Sequence, residues 1–408
     1  MHPRRSYVIL RNPSGGQALD SGGQLSWYAS SDIGLPMSIA ELSEAEAASL
    51  RGDRSVRVVA EDIPVRLFEP RPAPNDGPTD SNAGLTWGVS ATGAASSPFT
   101  GAGIKVAVLD TGIDENHPAF QGASIATRDF TGADDAHDYN GHGTHCTATI
   151  LGHDVDGERI GVAPGVRVVF CGKVLGNDGR GSTESLIRGL TWAEEQGANL
   201  ISMSLGIDFS ALLERLTKSG CPLPAALSMA LEGYRANIEL FSAISDWFAA
   251  RELTGRGALV VCAGGNESDR RGPMPYEVSC SPPAALERHL SVGALGRCGR
   301  SGFSVAEFSN SGVNVVAPGV GIRSAKAGGG LVSLSGTSMA APHACGVAAL
   351  WGEKLLDEAG RVRPSELRAV VLGRSQFIEG ANPNHVGRGL VQAPQSDEPR
   401  RSLLTPST

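Results

Sequence analysis

The sequence lacks any apolar stretch long enough to span a membrane. No run of about 18 apolar residues occurs anywhere in the 408-residue chain. Near the amino terminus, the twin arginine Arg4-Arg5 is followed only by a short apolar segment, Tyr7 to Leu10, before Arg11. That segment is too short for the hydrophobic region of a signal peptide. We therefore expect a protein that is neither membrane-inserted nor exported.

Cysteine is present, but not in a pattern that builds a cross-linked or metal-bound scaffold. The seven cysteines are odd in number and scattered, and no two of them form a Cys-x-x-Cys pair. This number and spacing of cysteines exclude a disulfide framework and a zinc site built on Cys-x-x-Cys pairs. Because unpaired thiols are typical of a reducing compartment, we expect a cytoplasmic protein.

An excess of positive charge is also missing. The chain has 35 Lys+Arg against 43 Asp+Glu, for a net charge of −8, which argues against nucleic acid or an anionic membrane as the main partner. What the sequence does contain is 41% hydrophobic residues and 53 glycines. Glycine at about 13%, against an average of about 7%, predicts a globular fold with many tight turns and glycine-rich loops at its functional site.

Composition divides the chain into a small α+β unit (1–70), a linker and entry segment (71–99), a main domain (100–394) and a polar tail (395–408). In the first unit, SYVIL, SVRVV and VRLF predict strands. Ser38 and Glu41 form a capping-box pattern that predicts a helix over Ile39–Leu50. The stretch PRPAPNDGPTDSNAG has the composition of a linker, so we place a domain boundary there.

In the main domain, apolar strands such as IKVAVLD and ALVVCAGGN alternate with amphipathic helices. Continuous apolar strands indicate a parallel sheet covered on both faces, which predicts an α/β fold. Residues 207–256 are more than one crossover helix needs, and their apolar periodicity predicts a helical insert. The insert follows the end of a predicted strand, where parallel sheets place their functional groups, so a lid, a specificity element, a partner surface and an outer packing helix all remain open.

Three polar residues occupy places where parallel sheets collect catalytic groups. Asp110 ends the strand IKVAVLD, His142 opens an apolar helix in NGHGTH, and Ser338 lies in the first turn of a helix in SLSGTSMAAPH. Together they can make an activated hydroxyl, since the imidazole takes the serine proton and the carboxylate orients the imidazole. Taken singly, Ser338 also suits a helix cap, Asp110 a metal or ribose ligand, and His142 a buried core position.

A series of motifs surrounds these residues over roughly positions 100 to 394. In chain order they are VAVLDTGIDENHP, NGHGTHCTATILG, GVAP, SMSLG, CAGGNES, FSNSGVNVVAPG and SGTSMAAPHACGVAAL. They resemble the landmarks of subtilisin-like serine peptidases, the subtilase family, and the chain order Asp, His, Ser agrees. The resemblance implies a three-layer fold with a central, mostly parallel sheet, and a serine endopeptidase that needs no cofactor.

The resemblance also implies roles for individual residues. Asp110, His142 and Ser338 match the catalytic triad, and Asn266 matches the side-chain donor of the oxyanion hole. Pro342 is expected in about the first turn of the serine helix. A peptide or protein substrate would add as a strand between two walls. By resemblance these walls are Ser204, Leu205 and Gly206 on one side and Ala263, Gly264 and Gly265 on the other. Their small apolar linings favour a hydrophobic side chain before the scissile bond.

Calcium is the one metal that the resemblance brings into question. Many subtilases hold it with an aspartate shortly after the DTG motif and an asparagine in a later loop. Ala119 and Val155 stand at these positions, so we expect that site to be lost and no metal to be bound. The acidic residues Asp154, Asp156 and Glu158 lack the spacing of a calcium loop, and we expect a solvated turn there.

The N-terminal unit resembles an inhibitor-type subtilase propeptide. This implies an intramolecular inhibitor whose last strand blocks the cleft, with self-cleavage within or just before residues 70–84. Removal of the unit and its retention as a permanent regulator both remain open. Two other functions also remain open: a latent peptide-binding module without turnover, and a peptide ligase or macrocyclase that uses the same nucleophile.

Overall fold

The computed structural model describes residues 4–12, 18–19, 25–26, 36–72, 84–299 and 302–396. Residues 73–83 of the predicted linker and entry segment and residues 397–408 of the predicted tail lie outside these ranges. The four predicted regions therefore keep their status as predictions.

In chain order, the strands are β1 (Arg5–Arg11), β2 (Ala18–Leu19), β3 (Leu25–Ser26), β4 (Met37–Leu42), β5 (Val56–Glu61), β6 (Pro64–Leu67), β7 (Arg71–Pro72), β8 (Lys105–Asp110), β9 (Ser124–Asp129), β10 (Val168–Lys173), β11 (Arg180–Ser182), β12 (Leu200–Met203), β13 (Leu205–Ile207), β14 (Leu259–Ala263), β15 (Leu290–Cys298), β16 (Gly302–Val305), β17 (Val315–Pro318), β18 (Ile322–Ala325) and β19 (Leu331–Ser335). The helices are α1 (Glu44–Arg51), α2 (Trp87–Ala91), α3 (His142–Leu151), α4 (Thr183–Glu195), α5 (Phe209–Lys218), α6 (Leu223–Glu252), α7 (Thr337–Ala359), α8 (Pro364–Arg374) and α9 (Pro383–Val386), with a 3₁₀ turn at Pro118–Phe120.

The N-terminal unit is an antiparallel sheet with strand order β4-β1-β5, covered on one face by α1. Side chains alternate between the two faces of β1. Tyr7 and Ile9 share a small apolar cluster with Ala47 of α1. Val8 and Leu10 face the other way and join the apolar cluster of the main domain. The unit is therefore docked on the main domain through one face of its sheet.

The helix predicted over Ile39–Leu50 is wrong at its start. Met37–Leu42 form β4, in which Ile39 lies opposite Val8 of β1, and the helix begins only at Glu44. Ser43 caps it: the Ser43 side chain accepts from the backbone N–H of Glu46, and the Glu46 carboxylate accepts from the Ser43 N–H. The sequence holds two successive capping-box patterns, and pairing with β1, a long-range interaction, selects the second.

The main domain is built on a large sheet with strand order β16-β15-β14-β12-β8-β10-β9, and β17 pairs with β15. The described pairings are parallel except that of β16 with β15. Alternate residues of β8 serve both faces. Val106 and Val108 join the cluster formed with α3, α7 and α8, whereas Ala107 and Leu109 join that formed with α4 and α6. The predicted three-layer α/β fold with a mostly parallel sheet is confirmed.

Helices α5 and α6 form within the predicted insert. The second half of α6 is buried against the large sheet through residues such as Phe241 and Phe248. Further toward its start, Asn237 Nδ2 donates to the backbone oxygen of Glu61 in β5. The insert thus lies against the N-terminal unit. No helix of the described residues, α6 included, combines the length and apolarity needed to cross a membrane.

Candidate active site

Asp110 and His142 meet at the carboxyl edge of the large sheet. Asp110 ends β8 and His142 is the first residue of α3, and His142 Nδ1 lies 2.7 Å from Asp110 Oδ1. Gly143 lets the start of α3 come close to the backbone that follows β8, because a Cβ at this position would lie 2.2 Å from the backbone oxygen of Gly112. Both side chains are almost fully buried, so their interaction is shielded from water.

The imidazole of His142 is held in an environment that favours its charged form. Burial by itself would lower the pKa of His142, but the adjacent charge and hydrogen bond of Asp110 outweigh burial and raise this pKa well above 6.5. Cys146, one turn along α3, places its sulfur 3.7 Å from Nδ1 and 3.9 Å from Nε2 of the ring. Burial raises the pKa of the Cys146 thiol, so it stays protonated.

Ser338 is the second residue of α7, which begins after Gly336. Pro342 lies in the second turn of this helix, so its expected place in about the first turn is wrong. A proline there leaves the backbone oxygen of Ser338 without its helical partner. The Ser204 hydroxyl and the Cys146 thiol, each 3.2 Å away, donate to this oxygen instead. Two side chains from other elements thus take over the hydrogen bond that the helix cannot make.

Asn266 follows β14 and is oriented by α7. Its Oδ1 accepts from both the backbone N–H and the hydroxyl of Thr337, each at 2.9 Å. This leaves Nδ2 as a donor toward the cleft. Thr337, which sequence reasoning missed, also accepts from the backbone N–H of Gly265 at 3.0 Å. It therefore links the two loops that carry Asn266 and Ser338.

The end of the N-terminal unit runs through the cleft. β6 pairs antiparallel with β13 on one side and with β11 on the other, and β7 pairs with β19 beyond Ser338. Between them, the backbone oxygen of Phe68 lies 3.2 Å from Ser338 Oγ and 3.3 Å from Asn266 Nδ2. The segment between β6 and β7, residues 68–70, therefore passes the serine, with the Phe68–Glu69 peptide bond at its hydroxyl.

Three of the six predicted substrate-binding residues contact β6 or Phe68. The backbone oxygen of Ser204 accepts from the Phe68 N–H at 3.4 Å, while Leu205 and Gly206 lie opposite Leu67 and Arg66. A Cβ at Gly206 would come 2.5 Å from the Phe68 ring. On the other wall, Ala263 belongs to the apolar cluster that contains Phe68.

Two of the predicted wall residues shape their loop instead. The Gly264 N–H donates to Val292, and Gly265 adopts a positive φ of 108° that favours glycine. The second edge of the cleft, β11, was not predicted. The glycine-rich run GNDGRGS was its available signal, because glycine in a strand marks a close backbone approach.

The chain matches a known family over most of its length. The family model described as "Subtilase family" matches residues 101–389, which contain Asp110, His142, Asn266 and Ser338. The chain is a subtilase. Like the other members it is a serine peptidase, a hydrolase that acts on peptide bonds.

Curated relatives agree with this assignment. The subtilase is 32% identical over 365 residues to M-protease of Shouchella clausii (strain KSM-K16), covering 88% of this chain and 78% of the relative. It is 34% identical over 318 residues to the intracellular serine protease of Paenibacillus polymyxa, covering 75% and 83%. It is also 37% identical over 259 residues to the major intracellular serine protease of Bacillus subtilis (strain 168), covering 61% and 68%.

The two positions at which many subtilases hold calcium offer few ligands in this chain. Ala119 and Val155 are buried and have no side-chain oxygen. In the acidic turn, Asp154 and Asp156 are exposed, and Glu158 pairs with Arg323 at 2.7 Å. Within the described ranges, the His, Cys, Asp and Glu groups spaced for a metal comprise one set, Asp110, His142 and Cys146. The expectation of no bound metal stays a prediction.

Proposed function

We propose that this subtilase cleaves peptide bonds with Ser338 as nucleophile, His142 as general base and then acid, and Asp110 as the group that orients His142. The 2.7 Å contact between His142 and Asp110 supports this assignment, since it fixes the ring through Nδ1 and leaves Nε2 for proton transfer. Ser338 Oγ would bond to the substrate carbonyl carbon as its proton passes to His142. The leaving amine then takes that proton, and water hydrolyses the ester.

The oxyanion would be held by Asn266 Nδ2 and the Ser338 backbone N–H. The observation that carries this assignment is the backbone oxygen of Phe68, which lies within reach of both Asn266 Nδ2 and Ser338 Oγ. Donors already oriented toward the reacting oxygen stabilise its developing charge without further reorganisation.

A hydrophobic side chain is the preferred residue before the scissile bond. Phe68 occupies this position and is only 3% exposed, with its ring over Gly206. Glycine at the wall leaves the room that an aromatic ring needs, and burial of the ring favours binding through the hydrophobic effect.

The N-terminal unit acts as an intramolecular inhibitor and as the first substrate, cleaved between Phe68 and Glu69. Three contacts outside the cleft support docking of the unit. The Asp62 carboxylate accepts from the Glu184 N–H at the start of α4, at 2.8 Å. Arg57 pairs with Asp246 of α6, and Glu61 with Arg215 of α5, each at 2.8 Å. Several elements thus hold the strand in register at Ser338.

Intact mass spectrometry tests this proposal. The wild-type chain and Ser338→Ala are purified and treated with a serine-directed phosphonate. We expect a wild-type fragment that begins at Glu69 and carries one adduct, and an unmodified, full-length Ser338→Ala chain with the same circular dichroism spectrum. A full-length wild type with an adduct would indicate an active site whose N-terminal unit is retained. No adduct and no cleavage would favour the latent binding module.

Product mass separates hydrolysis from ligation. After hydrolysis, the masses of the two fragments add up to the mass of the intact chain plus one water molecule. A ligase or macrocyclase supplied with an amine acceptor peptide would join that amine to Phe68 instead, without added water. We expect hydrolysis to dominate.

We also propose that this peptidase works inside the cell. Two of the relatives are named intracellular serine proteases, and the seven cysteines are free. Fractionation of the producing cells with an antibody against the chain tests this assignment. Recovery from the medium alone would contradict it.

A further inference from the structure

The cleft strand contains a charged side chain with two acidic partners. Arg66, the third residue before the Phe68–Glu69 bond when Phe68 counts as the first, places Nη2 2.8 Å from Glu267 Oε1 and Nε 3.8 Å from Asp208 Oδ2. The pairing of β6 with β13, in which Arg66 lies opposite Gly206, fixes this position by backbone hydrogen bonds. Any substrate bound in the same register would put its third side chain there.

Both carboxylates are held in place by groups other than Arg66. Asp208 is the first residue after β13, and its Oδ1 accepts from the Ala211 N–H as the cap of α5. Glu267 follows Asn266, and its Oε2 accepts from Asn310 Nδ2 at 2.7 Å. A pair of carboxylates that is already positioned loses little conformational entropy when a cation binds.

We propose that Asp208 and Glu267 form a subsite for a basic side chain, so that this peptidase prefers arginine as the third residue before the scissile bond. The inference rests on the proposed function. Arginine suits the site better than lysine because two different nitrogens of one planar guanidinium reach the two carboxylates. One of these carboxylates belongs to the start of the helical insert, which makes the insert a specificity element.

The preference should be moderate and sensitive to salt. The Arg66 side chain is 40% exposed and those of Asp208 and Glu267 are 16% and 30% exposed. Partly exposed ion pairs are screened by water and salt, which limits the expected gain in kcat/KM to about three- to tenfold.

A competition assay measures this preference directly. The full-length chain first completes its self-cleavage. It then receives an equimolar mixture of two coumarin amides, one with the sequence Pro-Val-Arg-Leu-Phe and one with citrulline in place of arginine. Citrulline keeps the shape of arginine but has no charge. The rate at which each of the two peptides is consumed is measured separately. The ratio of these two rates equals the ratio of kcat/KM and does not depend on how much enzyme is free of the N-terminal unit. We expect a ratio of about three to ten that falls toward one in about 1 M NaCl.

Conservative variants identify the carboxylates. Glu267→Gln and Asp208→Asn keep an oxygen for Asn310 and for the α5 cap, and combining them should bring the ratio close to one. A merely structural defect would lower both rates together and leave the ratio unchanged. Glu214→Gln is the matched control, because this α5 carboxylate pairs with Lys218 and is 62% exposed. We expect it to retain the wild-type ratio.

The outcomes separate the two proposals. Equal hydrolysis of both peptides by the wild type would overturn the subsite and leave the peptidase intact, with Arg66 serving only to dock the N-terminal unit. A preference that survives in the double variant would also overturn the assignment to Asp208 and Glu267. Hydrolysis of neither peptide, together with no phosphonate adduct at Ser338, would overturn the proposed function and this inference with it.

Discussion

At the scale of single residues, Asn266 is the clearest test of the proposed chemistry. Its Nδ2 points to the Phe68 oxygen, while Thr337 holds its Oδ1. Asn266→Leu keeps the volume but removes the donor, and we expect self-cleavage to slow by about 10²- to 10³-fold. Thr337→Val should lose less, because the Thr337 N–H still orients Asn266. The measurement is the rate of appearance of the Glu69 fragment. Unchanged cleavage in Asn266→Leu would rule out its role.

The pH dependence of self-cleavage follows from His142. The proposed reaction needs the neutral imidazole as base. Burial would lower the pKa of His142, but the charge and hydrogen bond of Asp110 raise it well above 6.5. Since the neutral fraction grows only as pH passes this raised pKa, we expect the initial rate to increase with pH, with a midpoint above 6.5. Rates measured from about pH 5 to 10 check this. A midpoint below 6.5 would contradict the expectation, and Ser338→Ala controls for contaminating proteases.

At the scale of elements, a buried ion pair joins the long helix α6 to α4. Arg251 Nε lies 2.6 Å from Glu194 Oε1, with side chains only 4% and 0% exposed. Arg251→Met leaves the buried Glu194 carboxylate without its cationic partner. We therefore expect the free energy of unfolding to fall by about 3 to 5 kcal/mol. Denaturant unfolding in a Ser338→Ala background measures this change without self-digestion.

The control for this prediction is an ion pair on the surface of α4. Arg188 and Glu184 are paired at 3.1 Å, but Arg188 is 50% exposed. Arg188→Met should cost less than about 1 kcal/mol. Equal effects of the two substitutions would show that burial of the Arg251 pair does not matter. Replacing Glu194 by leucine in the Arg251→Met chain should recover much of the loss, because no buried charge then remains.

The elements themselves were predictable where local pattern decides. The apolar strands of the large sheet and the helical insert formed as predicted. Their apolar residues recur with the spacing that burial on both faces of a strand or along one side of a helix requires. The start of α1 was not predictable, because Ser38 and Ser43 head similar capping patterns. Only the pairing of Met37–Leu42 with β1 distinguishes them, and that pairing depends on residues far away in the chain.

At the scale of the whole molecule, Glu61 connects the N-terminal unit to the insert. Its carboxylate pairs with Arg215 of α5 at 2.8 Å and with Arg5 of β1 at 3.0 Å, and its side chain is 15% exposed. Glu61→Gln should weaken docking of the unit and raise the rate of peptide hydrolysis after self-cleavage by roughly three- to tenfold. Progress curves with a coumarin peptide measure this release.

Two further variants test whether the Glu61 ion pair itself is responsible. Arg215→Met removes the same ion pair from the side of the insert and should give a similar increase. Glu46→Gln should not, since Glu46 pairs with Arg4 inside the unit, is 48% exposed, and glutamine can still complete the capping box. An increase in Glu46→Gln as large as that in Glu61→Gln would mean that general destabilisation of the unit, rather than its docking, controls release.

The sequence by itself determined the α/β class and the family, and it supplied the residues that we propose for the site. Asp110, His142, Asn266 and Ser338 lie in local motifs whose glycines and helix starts specify their own backbone, so short segments were sufficient to find them. The resemblance also implied that the last strand of the N-terminal unit blocks the cleft. Tertiary structure alone decided which peptide bond lies at Ser338, that β11 forms the second edge of the cleft and what Arg66 contacts. Those outcomes depend on pairing between Pro64–Leu67, Arg180–Ser182 and Leu205–Ile207. Backbone hydrogen bonds between distant strands are nearly independent of side chains, and local sequence therefore does not predict them.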